Sequence, residues 1–218
     1  MKNLTKIVVV LDRSASMYDT KKQTVEGFNK LIEEQAQIEG EVNISLYQFA
    51  TEIQITYLNK ELTDKNRYEL KLNDNEGNYL YKPTGRSTSL RDAIGTVINS
   101  VGLELCNLNE SERPNNVVVV IITDGMDNSS KEFSLNTIKD IITHQQSVYN
   151  WTFLYLGANI NNVKEASNMG ISINTIASYK GNKNIMFGYA GVSSYLNKQR
   201  TAKSRNVNLN LQDEVGNV

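Results

Sequence analysis

Asp12, Ser14 and Ser16 set three short oxygen-bearing side chains on alternate positions, directly after the apolar run Ile7-Val-Val-Val-Leu11. Alternate side chains of an extended segment point the same way, so these oxygens can converge on one point. Two further polar stretches carry matching groups: Pro83-Thr-Gly-Arg-Ser-Thr-Ser89, with Thr88, and Thr123-Asp-Gly-Met-Asp-Asn128, with Asp124. Two carboxylates and three hydroxyls around one position, with water completing the shell, suit an octahedral Mg²⁺ or Mn²⁺ ion. Local structure offers a competing explanation. Ser16 and Asp19 have the capping-box spacing, with Asp in place of Glu, and Asp12 suits a turn. The cation reading therefore requires the three stretches to meet in space.

The surrounding pattern supplies elements able to bring them together. Ile7–Leu11 is dominated by β-branched residues and suits a strand buried on both faces. A helix is expected from Tyr18 to about Glu39, where Gly40 stops it. Val42–Phe49 and Ile53–Leu58, separated by Ala50-Thr-Glu52, predict an antiparallel pair. Tyr68–Leu72 and Tyr79–Lys82 flank a turn-rich stretch and predict a short extra hairpin. A helix over Leu90–Leu108 follows the second polar stretch, and Val117–Ile122 is a central parallel strand leading to the third. Further helices are expected over Leu135–Gln146, Val163–Met169 and 182–199, with strands at Trp151–Gly157 and Ile171–Ile176, the latter at an edge. Strands alternating with helices predict an α/β fold: a doubly wound, mostly parallel sheet with one antiparallel edge strand and helices on both faces. In such a sheet the loops leaving the carboxyl ends of the strands share one edge, so the stretches at 12–16 and 124–128 should be neighbours, with Thr88 in reach.

Composition narrows the classes of function. The 218 residues suit one domain over 1–200 followed by a polar tail at 201–218, expected to fray. A formal net charge of −1 implies no nucleic-acid partner. One cysteine, Cys106, and one histidine, His144, exclude an intramolecular disulfide and any multi-cysteine or multi-histidine metal centre. Apolar runs stay far below the ~20 residues of a membrane span, and Met1–Lys6 runs straight into the first strand without the apolar core of a signal peptide. The expected compartment is cytoplasmic.

Asp12-Arg-Ser-Ala-Ser16 resembles the Asp-x-Ser-x-Ser motif of von Willebrand factor A domains, with Thr88 and Asp124 similar to the threonine and aspartate of that family's second and third loops. Ala15 and Arg86-Ser87 stand where glycine is common in the family. The resemblance extends over most of residues 5–199 and implies a metal-ion-dependent adhesion site, a MIDAS. Ser14, Ser16 and Thr88 would contact the ion directly, and Asp12 and Asp124 largely through water. The open coordination position would take a Glu or Asp from another protein, within a larger complex. Arg13, Tyr18, Arg86 and Asn128 would form the rim of that contact.

The implied function is thus a metal-dependent binding module, not an enzyme. One rival is a haloacid-dehalogenase-like Mg²⁺-dependent phosphohydrolase or phosphotransferase, which also begins with a strand ending in Asp. That chemistry needs an acid/base carboxylate two positions later, where this chain has Ser14. A nucleophilic serine would want a histidine base, and His144 falls in a helix away from Ser14. A second rival, a metal-independent scaffold, is disfavoured by retention of all five oxygens. Asp92, three residues after Ser89, reads as a helix cap, and Asp127 and Asn128 as turn formers. Cys106 reads as an inert core residue and His144 as a cap or surface residue.

Overall fold

The computed structural model describes residues 4–73, 79–179, 185–202 and 209–216. Its centre is a six-stranded sheet formed by β1 (Leu4–Asp12), β2 (Glu41–Phe49), β3 (Ile53–Glu61), β4 (Asn116–Thr123), β5 (Thr152–Gly157) and β6 (Ile176–Ser178). The strand order is β3-β2-β1-β4-β5-β6, and only β3 runs antiparallel to its neighbour. Every residue of β1 is buried, as a central parallel strand covered on both faces requires.

Side-chain alternation divides the core in two. Ile7, Val9 and Leu11 pack with Phe28 and Leu31 of α1 (Lys21–Ala36) and with Val192 and Leu196 of α5 (Ile185–Thr201). Val8 and Val10 face the other way, towards Ile94 and Val97 of α2 (Leu90–Cys106), Ile138 of α3 (Leu135–Tyr149) and Ala166 of α4 (Ile160–Asn168). The order reverses at β1, whose chain continues to β2 on one side while β4 lies on the other. The carboxyl ends of β1 and β4 form the switch point where open α/β sheets bind ligands.

Several expectations are corrected. The first long helix begins at Lys21, because Ala15–Tyr18 form a 3₁₀ turn that buries Met17. Between 60 and 86 there is no hairpin among the described residues. Lys71 and Leu80 make an isolated parallel bridge, and the turn expected at 74–78 lies outside the described residues. The edge strand is shorter and later than Ile171–Ile176, since Ile173–Thr175 form a 3₁₀ turn ahead of β6. The start of the expected helix at 182–184 lies outside the described residues, and α5 ends at Thr201. In the supposedly fraying tail, Leu211–Gly216 form a helix, α6, that buries Leu211 and Val215. Glu214 fixes it to α5, accepting from Ser194 Oγ and Lys198 Nζ, each at 2.6 Å. Cys106 ends α2 exposed to solvent, because the helix's buried stripe stops at Val101.

Candidate functional site

Asp12 closes β1, and its chain leaves the sheet under tight control. The Arg13 N–H donates to the Phe49 carbonyl of β2 at 2.7 Å, and the Arg13 carbonyl accepts the Thr84 N–H at 2.7 Å. The Ala15 N–H donates to the Gly85 carbonyl at 3.1 Å, which ties the first polar loop to the second. Gly85 has φ +97°, a left-handed conformation that favours glycine, and a Cβ there would stand 3.2 Å from the Ala50 methyl.

The Asp12 carboxylate is fully buried and engaged at both oxygens. Its Oδ1 accepts the Ser14 N–H at 2.7 Å, the local turn bond expected of an aspartate, and its Oδ2 accepts the Thr123 hydroxyl at 2.6 Å. Ser16 does not cap α1: Thr20 holds that position, and the Ser16 hydroxyl instead donates to Asp124 Oδ1 at 2.6 Å. Ser14 Oγ lies 3.0 Å from Ser16 Oγ. Since the one Ser16 proton is committed to Asp124, Ser14 is the donor of that pair. A hydroxyl relay thus runs from Ser14 through Ser16 to Asp124, across two loops more than 100 residues apart in sequence.

Thr88 reaches the same point. A Cβ placed on Gly125 would lie 3.1 Å from Thr88 Oγ1 and 3.7 Å from Asp12 Oδ2, so the bare glycine leaves open space between these oxygens. Thr88 is buried and held by Asn128, whose Oδ1 accepts the Thr88 N–H at 2.8 Å. The second and third loops are laced further along their length. Ser89 Oγ and Ser129 Oγ are 2.8 Å apart, and Asp127 accepts from the Arg91 N–H and guanidinium at 2.8 and 3.0 Å. Asp92 is not the cap of its own helix. It accepts the N–H groups of Lys131, Glu132 and Phe133 at 2.8, 3.0 and 2.9 Å, pinning the far end of the third loop.

Among the described residues no cation pairs with the two carboxylates of the site. Burial pushes the Asp12 carboxyl up to about 6, with the nearby Asp124 charge adding to the rise and bonds from Thr123 and Ser14 opposing it. Burial also raises Asp124, against the bond donated by Ser16. Among the described residues no group of three or more His, Cys, Asp and Glu is placed to hold a metal. The oxygens gathered here are two carboxylates and three hydroxyls.

The four expected rim residues separate. Tyr18 is 57% exposed with the Lys21 ammonium 4.0 Å from its ring centre, and Arg86 is exposed. Arg13 is half-buried, its guanidinium 3.2 Å from Thr84 Oγ1. Asn128 is exposed, but its amide oxygen is turned to Thr88 and away from any partner. Met126, two residues after Asp124 in the third loop, is 49% exposed. Sequence reasoning also missed Thr123, Asn162, whose Nδ2 donates to the Gly125 carbonyl at 2.8 Å, and Tyr81, whose hydroxyl donates to the Asp12 carbonyl at 2.7 Å. No local spacing signals these contacts, since each partner is distant in sequence or lies in an apolar strand.

Comparison with known proteins supplies the relationship. A profile of the von Willebrand factor type A domain matches residues 6–187. No curated protein sequence matches the chain. Among solved structures, the vWF domain of the type V pili tip protein Mfa5 from Porphyromonas gingivalis has a TM-score of 0.65 at 8% identity, covering 94% of this chain and 98% of its own. Proximal thread matrix protein 1 from the mussel byssus, with a zinc-occupied MIDAS motif, has a TM-score of 0.61 at 14% identity over 85% of this chain. The present chain spans 46% of that mussel protein, about half its length. Manganese-loaded TRAP protein from Plasmodium vivax has a TM-score of 0.56 at 14% identity, covering 83% of this chain and 70% of its own. Among the described residues no helix is long and apolar enough to cross a membrane. With the profile spanning residues 6–187 and the doubly wound sheet in place, the chain belongs to the von Willebrand factor type A domain family.

Proposed function

We propose that the chain is a metal-dependent protein-binding module, in which Asp12, Ser14, Ser16, Thr88 and Asp124 hold a Mg²⁺ or Mn²⁺ ion that engages an acidic side chain of a partner protein. The observation that carries this reading is the convergence of oxygens from three loops. Metal–oxygen bonds of about 2.0–2.1 Å at right angles place neighbouring ligand oxygens about 3 Å apart. Ser14 Oγ and Ser16 Oγ stand at that spacing, 3.0 Å, and Gly125 leaves the space between Thr88 Oγ1 and Asp12 Oδ2 open. The donors are hard oxygens, as a Mg²⁺ or Mn²⁺ site demands. The zinc-occupied MIDAS motif of the mussel protein, and the manganese-loaded state of the Plasmodium protein, support a divalent-ion reading.

The residues divide the work. Ser14, Ser16 and Thr88 would present neutral hydroxyls to the ion, while Asp12, engaged by Ser14 and Thr123, would contribute largely through water. Asp124 sits less deeply and is free to switch between direct and water-mediated contact. When bound, the ion supplies a Lewis-acidic position with an exchangeable water, which a carboxylate replaces best. The exposed Tyr18 and Arg86 would form part of the rim of that contact. The inward-turned Asp12 carboxylate, fully buried, favours this role over that of a phosphoryl-accepting nucleophile.

The test is a pull-down from a lysate with the wild-type chain, in millimolar Mg²⁺ and then in chelator, alongside Thr88→Ala. Capture of a partner should require metal and be lost in Thr88→Ala. Neutralising the partner's central Glu or Asp should abolish binding alone, with no further loss in combination with Thr88→Ala. A complex that forms equally well in chelator would refute the mechanism.

A further inference from the structure

At the opposite end of the sheet, under the amino ends of β4 and β5, lies a cavity of about 420 Å³. Its size falls in the range of small-molecule sites, roughly 300–1,000 Å³. The walls come from the last turns of α2 and α3 and from the chain entering β4 and β5. Trp151, Tyr149 and His144 supply aromatic surface, and the rings of His144 and Tyr149 meet edge to face with centroids 5.5 Å apart. Among the described lining residues Arg113 alone carries a formal charge, and its Nε is fixed on the Leu108 carbonyl at 3.2 Å.

Gly102 gives this cavity its second signature. It lies within α2, where glycine costs about 1 kcal/mol relative to alanine. Packing explains other glycines of the chain. A Cβ at Gly95, in the same helix, would come within 2.6 Å of the Phe133 ring. At Gly102, its chain neighbours and its own helix backbone aside, no heavy atom among the described residues lies within 4 Å of where a Cβ would stand. No described neighbour requires the missing side chain, and its effect is to keep the cavity wall open.

We propose that this cavity is a second binding site, separate from the three polar loops at the carboxyl ends of the strands, for a planar aromatic anion such as a bicyclic aromatic carboxylate. The aromatic walls match a flat ring, and Arg113 provides the charge complement. A cationic ring would face Arg113 and find no carboxylate in the lining. The carbonyl ends of the two helices do not repel the anion unchecked. Arg113 caps the Leu108 carbonyl, and the Asn150 and Trp151 N–H groups both point at the Gln145 carbonyl.

The chain's single cysteine reports on the site, because Cys106 is exposed and lines the cavity. Calorimetry with 2-naphthoate, neutral 2-naphthamide and cationic 2-naphthylmethylamine, each in chelator, measures binding, and the rate of Cys106 modification by a disulfide reagent measures occupancy. Naphthoate should bind saturably in the micromolar-to-millimolar range and slow Cys106 modification. Arg113→Gln should weaken naphthoate by about tenfold or more while leaving the amide unchanged. Gly102→Leu should fill the cavity and abolish both effects, with a melting temperature equal to or above wild type showing that the fold is intact. Absence of saturable naphthoate binding, equal affinity for the amine, or undiminished binding by Gly102→Leu would overturn the proposal. So would Cys106 protection that depends on protein concentration alone, which would make the cavity a contact between copies of the chain.

Discussion

Asn128 grips Thr88 from two directions: its Oδ1 accepts the Thr88 N–H at 2.8 Å, and its own N–H donates to the Thr88 carbonyl at 3.0 Å. The clamp joins the second and third polar loops and positions Thr88, whose Oγ1 would contact the proposed ion while Asn128 would not. Such positioning groups typically govern metal affinity by ten- to a hundredfold. Asn128→Ala should weaken Mn²⁺ binding by roughly that factor while costing about 1 kcal/mol of metal-free stability. Asn128→Asp keeps an acceptor for Thr88 and should recover most of the affinity. Calorimetric Mn²⁺ titrations of the three proteins decide this, and unchanged affinity in Asn128→Ala would remove Asn128 from the site.

Asp12 sets stability and metal binding against each other. Its buried carboxylate lacks a cationic partner among the described residues, so Asp12→Asn removes a desolvated charge while retaining an acceptor for the Ser14 N–H. In chelator at neutral pH the variant should melt at or above the wild-type temperature. Added Mg²⁺ should raise the wild-type melting temperature and leave Asp12→Asn unmoved. A variant still stabilised by Mg²⁺ would contradict the assignment.

The pH dependence has a definite sign. Burial raises the folded Asp12 carboxyl to about 6, above its unfolded value, so the folded chain binds the extra proton between about pH 4 and pH 6. Metal-free stability from this group is therefore present below that window and lost as pH rises through it, by up to roughly 3 kcal/mol. Metal competes with the proton, so stabilisation by Mn²⁺ should run the other way and fade below about pH 6. Denaturant titrations from pH 4.5 to 8, with and without Mn²⁺, would expose both slopes, and parallel curves would disprove the coupling.

Gly125 is where a single methyl should separate fold from function. Its Cβ would press on Thr88 Oγ1 at 3.1 Å and intrude beside Asp12 Oδ2 at 3.7 Å. Gly125→Ala should fold, with a destabilisation of about 1–2 kcal/mol, and lose most of its divalent-ion affinity. Wild-type Mn²⁺ binding by this variant would show that the ion does not occupy that space.

The short terminal helix α6 is structural. Leu211 is fully buried against the α1/α5 face of the core, and Val215 approaches Gly191 so closely that a Cβ there would stand 2.5 Å from a Val215 methyl. Leu211→Ala should destabilise the chain by about 2–4 kcal/mol in chemical denaturation. A loss below about 0.5 kcal/mol would mean that the helix is dispensable.

The sequence by itself determined the layered architecture and which oxygen-bearing residues stand on the loops after β1 and β4. Continuous β-branched runs such as Ile7–Leu11 and Val117–Ile122 can be satisfied only by burial on both faces, so they read directly as central parallel strands. The oxygen-bearing residues that end them were legible for the same reason, since a doubly wound sheet gathers its carboxyl-end loops at one edge. Tertiary structure decided what local spacing leaves open. Ser16 and Asp92 both carry helix-cap spacing, yet each bonds across the fold, because Asp124 and the backbone of 131–133 offer stronger partners than the helix beside them. Cys106 continued an apolar pattern but emerged into solvent where the buried stripe of α2 ends. The polar tail has little to bury in sequence terms, but Leu211 joins the core on the α1/α5 side and Val215 packs against Gly191 of α5. Thr123, Tyr81 and Asn162 came to the site through contacts 37 to 111 residues away, where no local period can register them.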